Sequence, residues 1–407
     1  MYTRGTPLPD PGSLSLVSRL VEAGHVSCSS MPTEKSLVRA GAQSQGARFA
    51  SLSETTRRGP ISSTLIIQAD TRLPVPTATT PEAFWTHSAL GAALYANMHH
   101  YDFVYAVLPE EGCRRQGVAI ARLPTWCRLL IVSAAFGAGY TWAMLMDSDT
   151  MVHQPYSGLH VLRRMRAVGG YRWGGGYFGH LGGGASQDPN VALIAQSNSW
   201  WQPKSKGGHG VAGPCGGNLL FHAAASAWAL LAAWWGFDGE STYGNCAATQ
   251  KWCKGIVGKR EQQALWDLLA QNRSINEHVA TVNAKTFWCS ERSAGRYGCG
   301  EKREPGRAML GCSSDYFFCH APHYPNNLST RVYAMRSERV GVEGAAAMLG
   351  CPAGGAPCSP GSAAVLHVTA EELTALSTHL QSAAWWGAEP VRWREGDVPA
   401  ADHGESF

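Results

Sequence analysis

The spacing of apolar and polar positions divides the chain into three parts. Residues 1–60 carry little apolar periodicity and much Ser, Gly and Arg, the pattern of a largely disordered leader. From 61 to 340, short apolar runs alternate with segments of helical period, as in a folded α/β domain. From 341 the chain turns rich in Ala, Gly and Pro, an extension with one helix.

In the middle part, the β-branched run from Ser63 to Ala69 predicts a first strand. From Ser88 to His99, the residues Leu90, Ala93, Leu94 and Met98 recur at helical spacing, and Phe103 to Val107 predicts a second strand. Pro124 opens a second helix, with Trp126, Leu129, Leu130 and Phe136 inward and Gly137 and Gly139 at its end. Thr141 to Met146 is almost wholly apolar and too short for a helix, so it reads as a strand buried on both faces of a parallel sheet. Strand, helix, strand, helix, strand implies right-handed parallel crossovers, an α/β nucleotide-binding pattern. Further on, Gly216 to Phe221 predicts a short strand, Ala223 to Trp235 a helix, and Glu261 to Gln271 a helix with Leu265, Leu268 and Leu269 inward. Thr286 to Cys289 and Asp315 to His320 predict late strands. Thr369 and Glu372 form a capping box that starts a helix running to about Trp386.

The chemistry gathers where strands end. The third strand stops on Asp147-Ser148-Asp149. Ligands of open α/β sheets bind just beyond the carboxyl ends of strands. Two carboxylates one residue apart at such an edge can grip a hard cation, Mn²⁺ or Mg²⁺, which would in turn hold a diphosphate. Gln68 and Asp70, where the first strand ends, stand where a nucleotide base or ribose would lie. His320 follows a late aromatic strand and is a candidate ligand. Arg128, His323 and Arg331 are cations that could assist a departing diphosphate. The glycine-dense stretch 169–184 has no NTPase phosphate-loop pattern and reads as a surface insertion.

Composition narrows the partners. With 407 residues and 44% hydrophobic content, the chain can build a sizeable core. A net charge of +4 is too mild to point to nucleic acid or an anionic membrane. No apolar run reaches the roughly 18 residues of a membrane-spanning helix. Trp is abundant, at 15, and suits flat partners such as sugar rings. Of 12 cysteines, Cys246, Cys253, Cys289, Cys299, Cys312 and Cys319 cluster without a C-x-x-C pair, which favours disulfides over zinc. Asn272-Arg273-Ser274 and Asn327-Leu328-Ser329 are glycosylation acceptors by pattern. An oxidising lumen is expected, the Golgi first, with a plastid or secretion as alternatives.

Several motifs, in order, resemble one family. Leu94-Tyr95-Ala96 with His100-Tyr101-Asp102 is similar to the "Y-C/A … H-G-Y-D" segment of the galactosyl/mannosyl-transferase family, which includes fungal Golgi α-mannosyltransferases, galactomannan galactosyltransferases and plant xyloglucan xylosyltransferases. In that alignment Tyr101 stands where the pattern has Gly. Trp126-Cys127-Arg128 resembles "W-x-K", the acidic triplet its D-x-D, and Cys215 to Leu220 its "N-x-G-x-F-L-I" strand. Glu261 to Leu265 resembles "D-Q-x-A-L", and Phe317 to His320 "F-x-x-H". The resemblance implies a GT-A fold, a Rossmann-like, mostly parallel sheet that binds a nucleotide sugar. It implies Asp147 on ribose and metal, Asp149 and His320 on Mn²⁺, and Glu261 and Gln262 near the anomeric carbon. The implied reaction moves a hexose or pentose, with retention, from UDP-hexose, UDP-xylose or GDP-mannose to a glycan or glycoprotein acceptor. Two other readings stay open: a catalytically inactive sugar-binding module on the same fold, and a D-x-D phosphatase, whose motif would need Thr or Val where Met151 stands.

Overall fold

The computed structural model describes residues 63–74, 84–116, 121–152, 155, 157–159, 191–198, 213–237, 261–282, 288–290, 318–320 and 363–383, together with Leu16, Arg19 and Leu20. In chain order the described elements begin with β1 (Thr64–Asp70), α1 (Phe84–Met98), β2 (Asp102–Val107), α2 (Pro124–Gly137), β3 (Trp142–Met146) and β4 (Thr150–Val152). They continue with β5 (Leu193–Asn198), β6 (Gly213–His222), α3 (Ala225–Gly236), α4 (Glu261–Gln271), α5 (Arg273–Asn276) and β7 (Val279–Val282). Last come β8 (Trp288–Ser290), β9 (Phe318–His320), β10 (Ala363–His367) and α6 (Ala370–Ala383).

One seven-stranded sheet carries the fold, in the order β10-β2-β1-β3-β6-β5-β7. Strand β1 is parallel to β2 and β3, and β10 adds in parallel beside β2. Strand β6 runs antiparallel to β3 and β5, and β7 is parallel to β5. This is the expected α/β architecture, a mostly parallel sheet flanked by helices. One expectation changes in detail: β3 is buried, but only its β1 side is parallel. Alternation along the strands splits the core in two. Leu65, Ile67, Ala143 and Leu145 join an apolar cluster with α2, α3, α4 and α6. Ile66, Met144 and Met146 join a second cluster with α1.

Helix α1 departs from the predicted single apolar face. Thr86, His87, Ser88 and Asn97 are buried along with Ala93, Leu94 and Met98, while Leu90 is only half-buried. The reason is a second cover. Tyr95 Oη donates to the Ser157 carbonyl (2.7 Å) and Leu159 N–H donates to Tyr101 Oη (3.0 Å), so the segment after β4 lies against this helix.

The helix ends explain two sequence signals. Helix α1 closes with Tyr101 N–H on the Ala96 carbonyl (2.8 Å) and His100 N–H on that of Asn97 (3.2 Å), and His100 has φ 55°. That is a Schellman ending, whose left-handed residue is usually glycine. The position in this segment that favours glycine is therefore His100, not Tyr101. Helix α2 ends the same way, with Gly139 at φ 96°. His100→Gly is expected to stabilise the protein by about 1 kcal/mol, because Gly adopts this conformation without the Cβ clash. A chemical denaturation midpoint that did not rise would refute this.

Parts of the leader and of the extension join the domain. Strand β10 and helix α6 belong to the central sheet and its helical layer. The predicted capping box forms, with Thr369 N–H on Glu372 Oε2 (3.0 Å) and Glu372 N–H on Thr369 Oγ1 (3.2 Å). Leu16 and Leu20, predicted to lie in a disordered leader, are buried. A Cys113–Cys127 disulfide ties the segment after β2 to α2. Of the six clustered cysteines, Cys289 and Cys319 are backbone partners in the register of β8 and β9, and the other four lie outside the described residues. The stretch 169–184, the Asn327 acceptor, His323 and Arg331 also lie outside them. Asn272 Oδ1 accepts from Ser274 Oγ (2.8 Å) and from Ile275 N–H (3.2 Å), capping α5.

Candidate functional site

The acidic triplet sits at the carboxyl edge of the sheet, in the turn between β3 and β4. Asp147 N–H donates to the Gly217 carbonyl (2.8 Å), and Thr150 N–H returns to the Asp147 carbonyl (3.0 Å). These two bonds fold the triplet back on itself. Gln68, placed by sequence on the nucleotide, is wholly buried in β1. Its Nε2 donates to Ser88 Oγ (2.7 Å) and, more weakly, to the Asp147 carbonyl (3.4 Å). Ser88 Oγ donates in turn to the Thr150 carbonyl. Gln68 thus supports the backbone of the triplet from beneath.

Two polar clusters meet at this turn. In the first, Arg128 of α2 bridges two carboxylates. Its Nη1 donates to Asp147 Oδ1, its Nη2 to Glu261 Oε1 (2.6 Å), and its Nε to the Thr125 carbonyl (3.0 Å). Arg128 is 5% exposed and Glu261, the first residue of α4, is 8% exposed. Burial alone would lower the affinity of Arg128 for its proton, but the charges of Asp147 and Glu261 outweigh it and hold the guanidinium charged. Glu261 is thereby more than a helix-start acid: it shares a cation with the triplet. Its Oε2 has no partner among the described residues.

In the second cluster, Asp70 accepts from Arg72 N–H (3.1 Å), Arg72 Nε (2.9 Å) and Ser148 Oγ. Burial pushes the Asp70 carboxyl up, but the bonds from Arg72 and Ser148 and the charge of Arg72 carry it below the usual carboxylate range. The Arg72 guanidinium also reaches Ser148 Oγ (3.2 Å) and lies 4.2 Å from the Trp85 ring centroid. Tyr105 Oη donates to the Arg72 carbonyl (3.0 Å). Asp149 follows in the same turn, half-buried and close enough to Arg72 to act on its charge.

Two further predicted residues arrive from afar. Gln262 Oε1 accepts from Gly216 N–H (2.9 Å), so α4 is docked on β6 beside the triplet. His320 ends β9, which pairs antiparallel with β4 so that His320 stands opposite Thr150, next in sequence to Asp149. Its side chain falls outside the described residues. Among the described residues no group of three or more His, Cys, Asp or Glu side chains is arranged to hold a metal ion. Cys215, beside this edge, is buried and its thiol is pushed up to about 12, mainly by burial, so it stays protonated near neutral pH. Sequence reasoning missed the parts played by Trp85, Ser88 and Tyr105. None stands next to a motif, and only the fold brings them to the triplet. Arg72 was visible two residues past Asp70, but its reach to Ser148 was not.

Gly216 sets a tight contact here. A Cβ on it would lie 3.0 Å from Gln262 Oε1 and 3.2 Å from Gln262 Cβ. The second neighbour sits next to the helix backbone and cannot swing away. Gly216→Ala is expected to cost about 1–2 kcal/mol and to displace Gln262. Urea denaturation checks the first effect. A loss of about tenfold in kcat, read with whichever donor the wild type turns over, checks the second.

No family model matches the chain, and no curated protein matches it. Solved structures do. A glycosyltransferase involved in the glycosylation of the major capsid of PBCV-1 is 13% identical, at a TM-score of 0.37, over 67% of this chain and 98% of that one. The galactosyltransferase LgtC, in complex with donor and acceptor sugar analogs, is 12% identical, at a TM-score of 0.35, over 68% of this chain and 95% of that one. Both of these similar structures are glycosyltransferases.

Proposed function

We propose that the chain is a metal-dependent glycosyltransferase of the GT-A kind. It moves a hexose or pentose from a nucleoside-diphosphate sugar to a glycan or glycoprotein acceptor, with retention of configuration. The observation that carries this reading is the convergence of two charged clusters on one strand end. Asp70, Arg72 and Ser148 gather on one side of the triplet, and Asp147, Arg128 and Glu261 on the other.

The donor set suits a hard divalent ion. Asp149 and His320, neighbours across the pairing of β4 with β9, would hold Mn²⁺ or Mg²⁺. Asp147, bonded to Arg128 in the same turn, would contribute a carboxylate oxygen. The ion would supply positive charge to the diphosphate as it leaves. The protein's own residues do the rest. Arg72, half-buried against Trp85, presents a fixed cation where the nucleotide would lie. Arg128 keeps Asp147 and Glu261 in place without titrating. Glu261, bonded to Arg128, and Gln262, held against β6 beside it, would lie on the side of the anomeric carbon. Charge that is fixed in advance in a partly dry edge stabilises the transition state without reorganisation.

The phosphatase alternative gains nothing here, because the position it requires as Thr or Val is Met151, buried in β4. The Cys113–Cys127 disulfide supports an oxidising compartment, and we assign the Golgi lumen. The test is a donor screen of the purified protein with Mn²⁺, using UDP-galactose, UDP-glucose, UDP-xylose and GDP-mannose. Hydrolysis or transfer from one of them is expected. Phosphate release from simple monoesters without sugar-nucleotide turnover would overturn the proposal. Donor binding without turnover would leave the inactive sugar-binding module in its place.

A further inference from the structure

We infer that the segment containing Leu16, Arg19 and Leu20 is a structural strap of the folded domain, so that any maturation cut in the N-terminal region falls before Leu16. Leu16 and Leu20 are one helical turn apart, on one face, and are 0% and 1% exposed. They belong to the same apolar cluster as Leu366, Val368, Leu373, Leu376 and Leu380 of the β10–α6 end. Arg19, between them, fixes the register. Its Nη1 donates to both oxygens of Glu372 (2.8 and 2.9 Å), and its Nη2 to the His367 carbonyl (2.7 Å).

Glu372 is also the acid of the α6 capping box, so one carboxylate closes the start of α6 and receives the strap. The ion pair is partly shielded, with 8% of the Glu372 side chain exposed. With Nη1 on both carboxylate oxygens and Nη2 on the His367 carbonyl, one guanidinium ties the start of α6 and the end of β10 to the strap. The contact reaches the site in two steps. Helix α6 packs in one apolar layer with α2, and α2 carries Arg128. A leader removed whole would uncover the apolar flank of α6 and leave Glu372 without its guanidinium.

The test compares the full chain with versions lacking residues 1–12 and 1–24, and adds charge variants in the full chain. The 1–12 deletion is expected to melt with the full chain. The 1–24 deletion is expected to melt about 5–10 °C lower, or to yield no folded protein. In the full chain, Arg19→Glu and Glu372→Arg should each lower Tm, the second also by removing the capping acceptor, and the double exchange should lose clearly less than the sum of the two. N-terminal sequencing of protein taken from its natural source should begin at or before Leu16. The inference is overturned if the 1–24 deletion melts like the full chain, if the two single losses add in full in the double exchange, or if the natural protein begins beyond Leu16.

Discussion

Asp149→Ala is expected to lower sugar-nucleotide turnover by at least about 10²–10³-fold, the loss that follows removal of one fixed electrostatic group from a charge-stabilised transition state. The variant should keep its fold. Asp149 is half-buried in a turn that is held by other atoms: Asp147 N–H on Gly217, Thr150 N–H on Asp147, and Gln68 and Ser88 from below. Its Tm is therefore expected within about 2 °C of the wild type, as for surface substitutions away from packed features. The Mn²⁺ concentration for half-maximal rate should rise steeply, because a carboxylate oxygen would have left the ion. Initial rates against Mn²⁺, beside a thermal melt, decide the matter. Activity within tenfold of the wild type at saturating Mn²⁺, in a folded variant, would remove Asp149 from the site.

Arg128→Met has the largest expected effect on stability. The substitution keeps a similar shape but leaves Asp147 and Glu261 without the cation they share. Removing one partner of a buried ion pair typically costs about 3–5 kcal/mol. The cost should come mostly from Glu261, since Asp147 keeps 27% of its side chain exposed and water can screen it. Arg128→Lys should rescue only in part, because one ammonium does not reproduce a planar fork spanning two carboxylates. A second exchange separates the causes. Glu261→Gln in the Arg128→Met background removes the stranded charge and is expected to restore about 1–2 kcal/mol of stability, yet no activity. Urea denaturation measures the first and a donor assay the second. A loss under about 1 kcal/mol for Arg128→Met would mean that the bridge is not an energetic element of the site.

Much of this site was legible because local chemistry and strand ends coincide. An apolar run that stops on two aspartates marks the edge of a buried strand, and a Glu-Gln pair opening an apolar helix marks the start of α4. The joint role of Arg128 was not legible. Asp147 lies 19 residues beyond it and Glu261 133 residues beyond, and no periodicity spans such gaps. Gln68 shows a different limit of local pattern. Its place at the end of a strand suggested ligand contact, whereas its side chain is used inside the fold.

The sequence by itself determined the elements: the short apolar strands, the capped helices, the acidic triplet and the capping box of α6. Each depends on residues within a few positions of one another, where backbone sterics and side-chain period decide the outcome. Only the tertiary structure decided which elements meet: β10 beside β2, β9 across from β4, Arg19 on Glu372, and Arg128 between two acids. Those contacts are chosen by burial and charge pairing between distant segments, a balance over the whole chain that no local window contains.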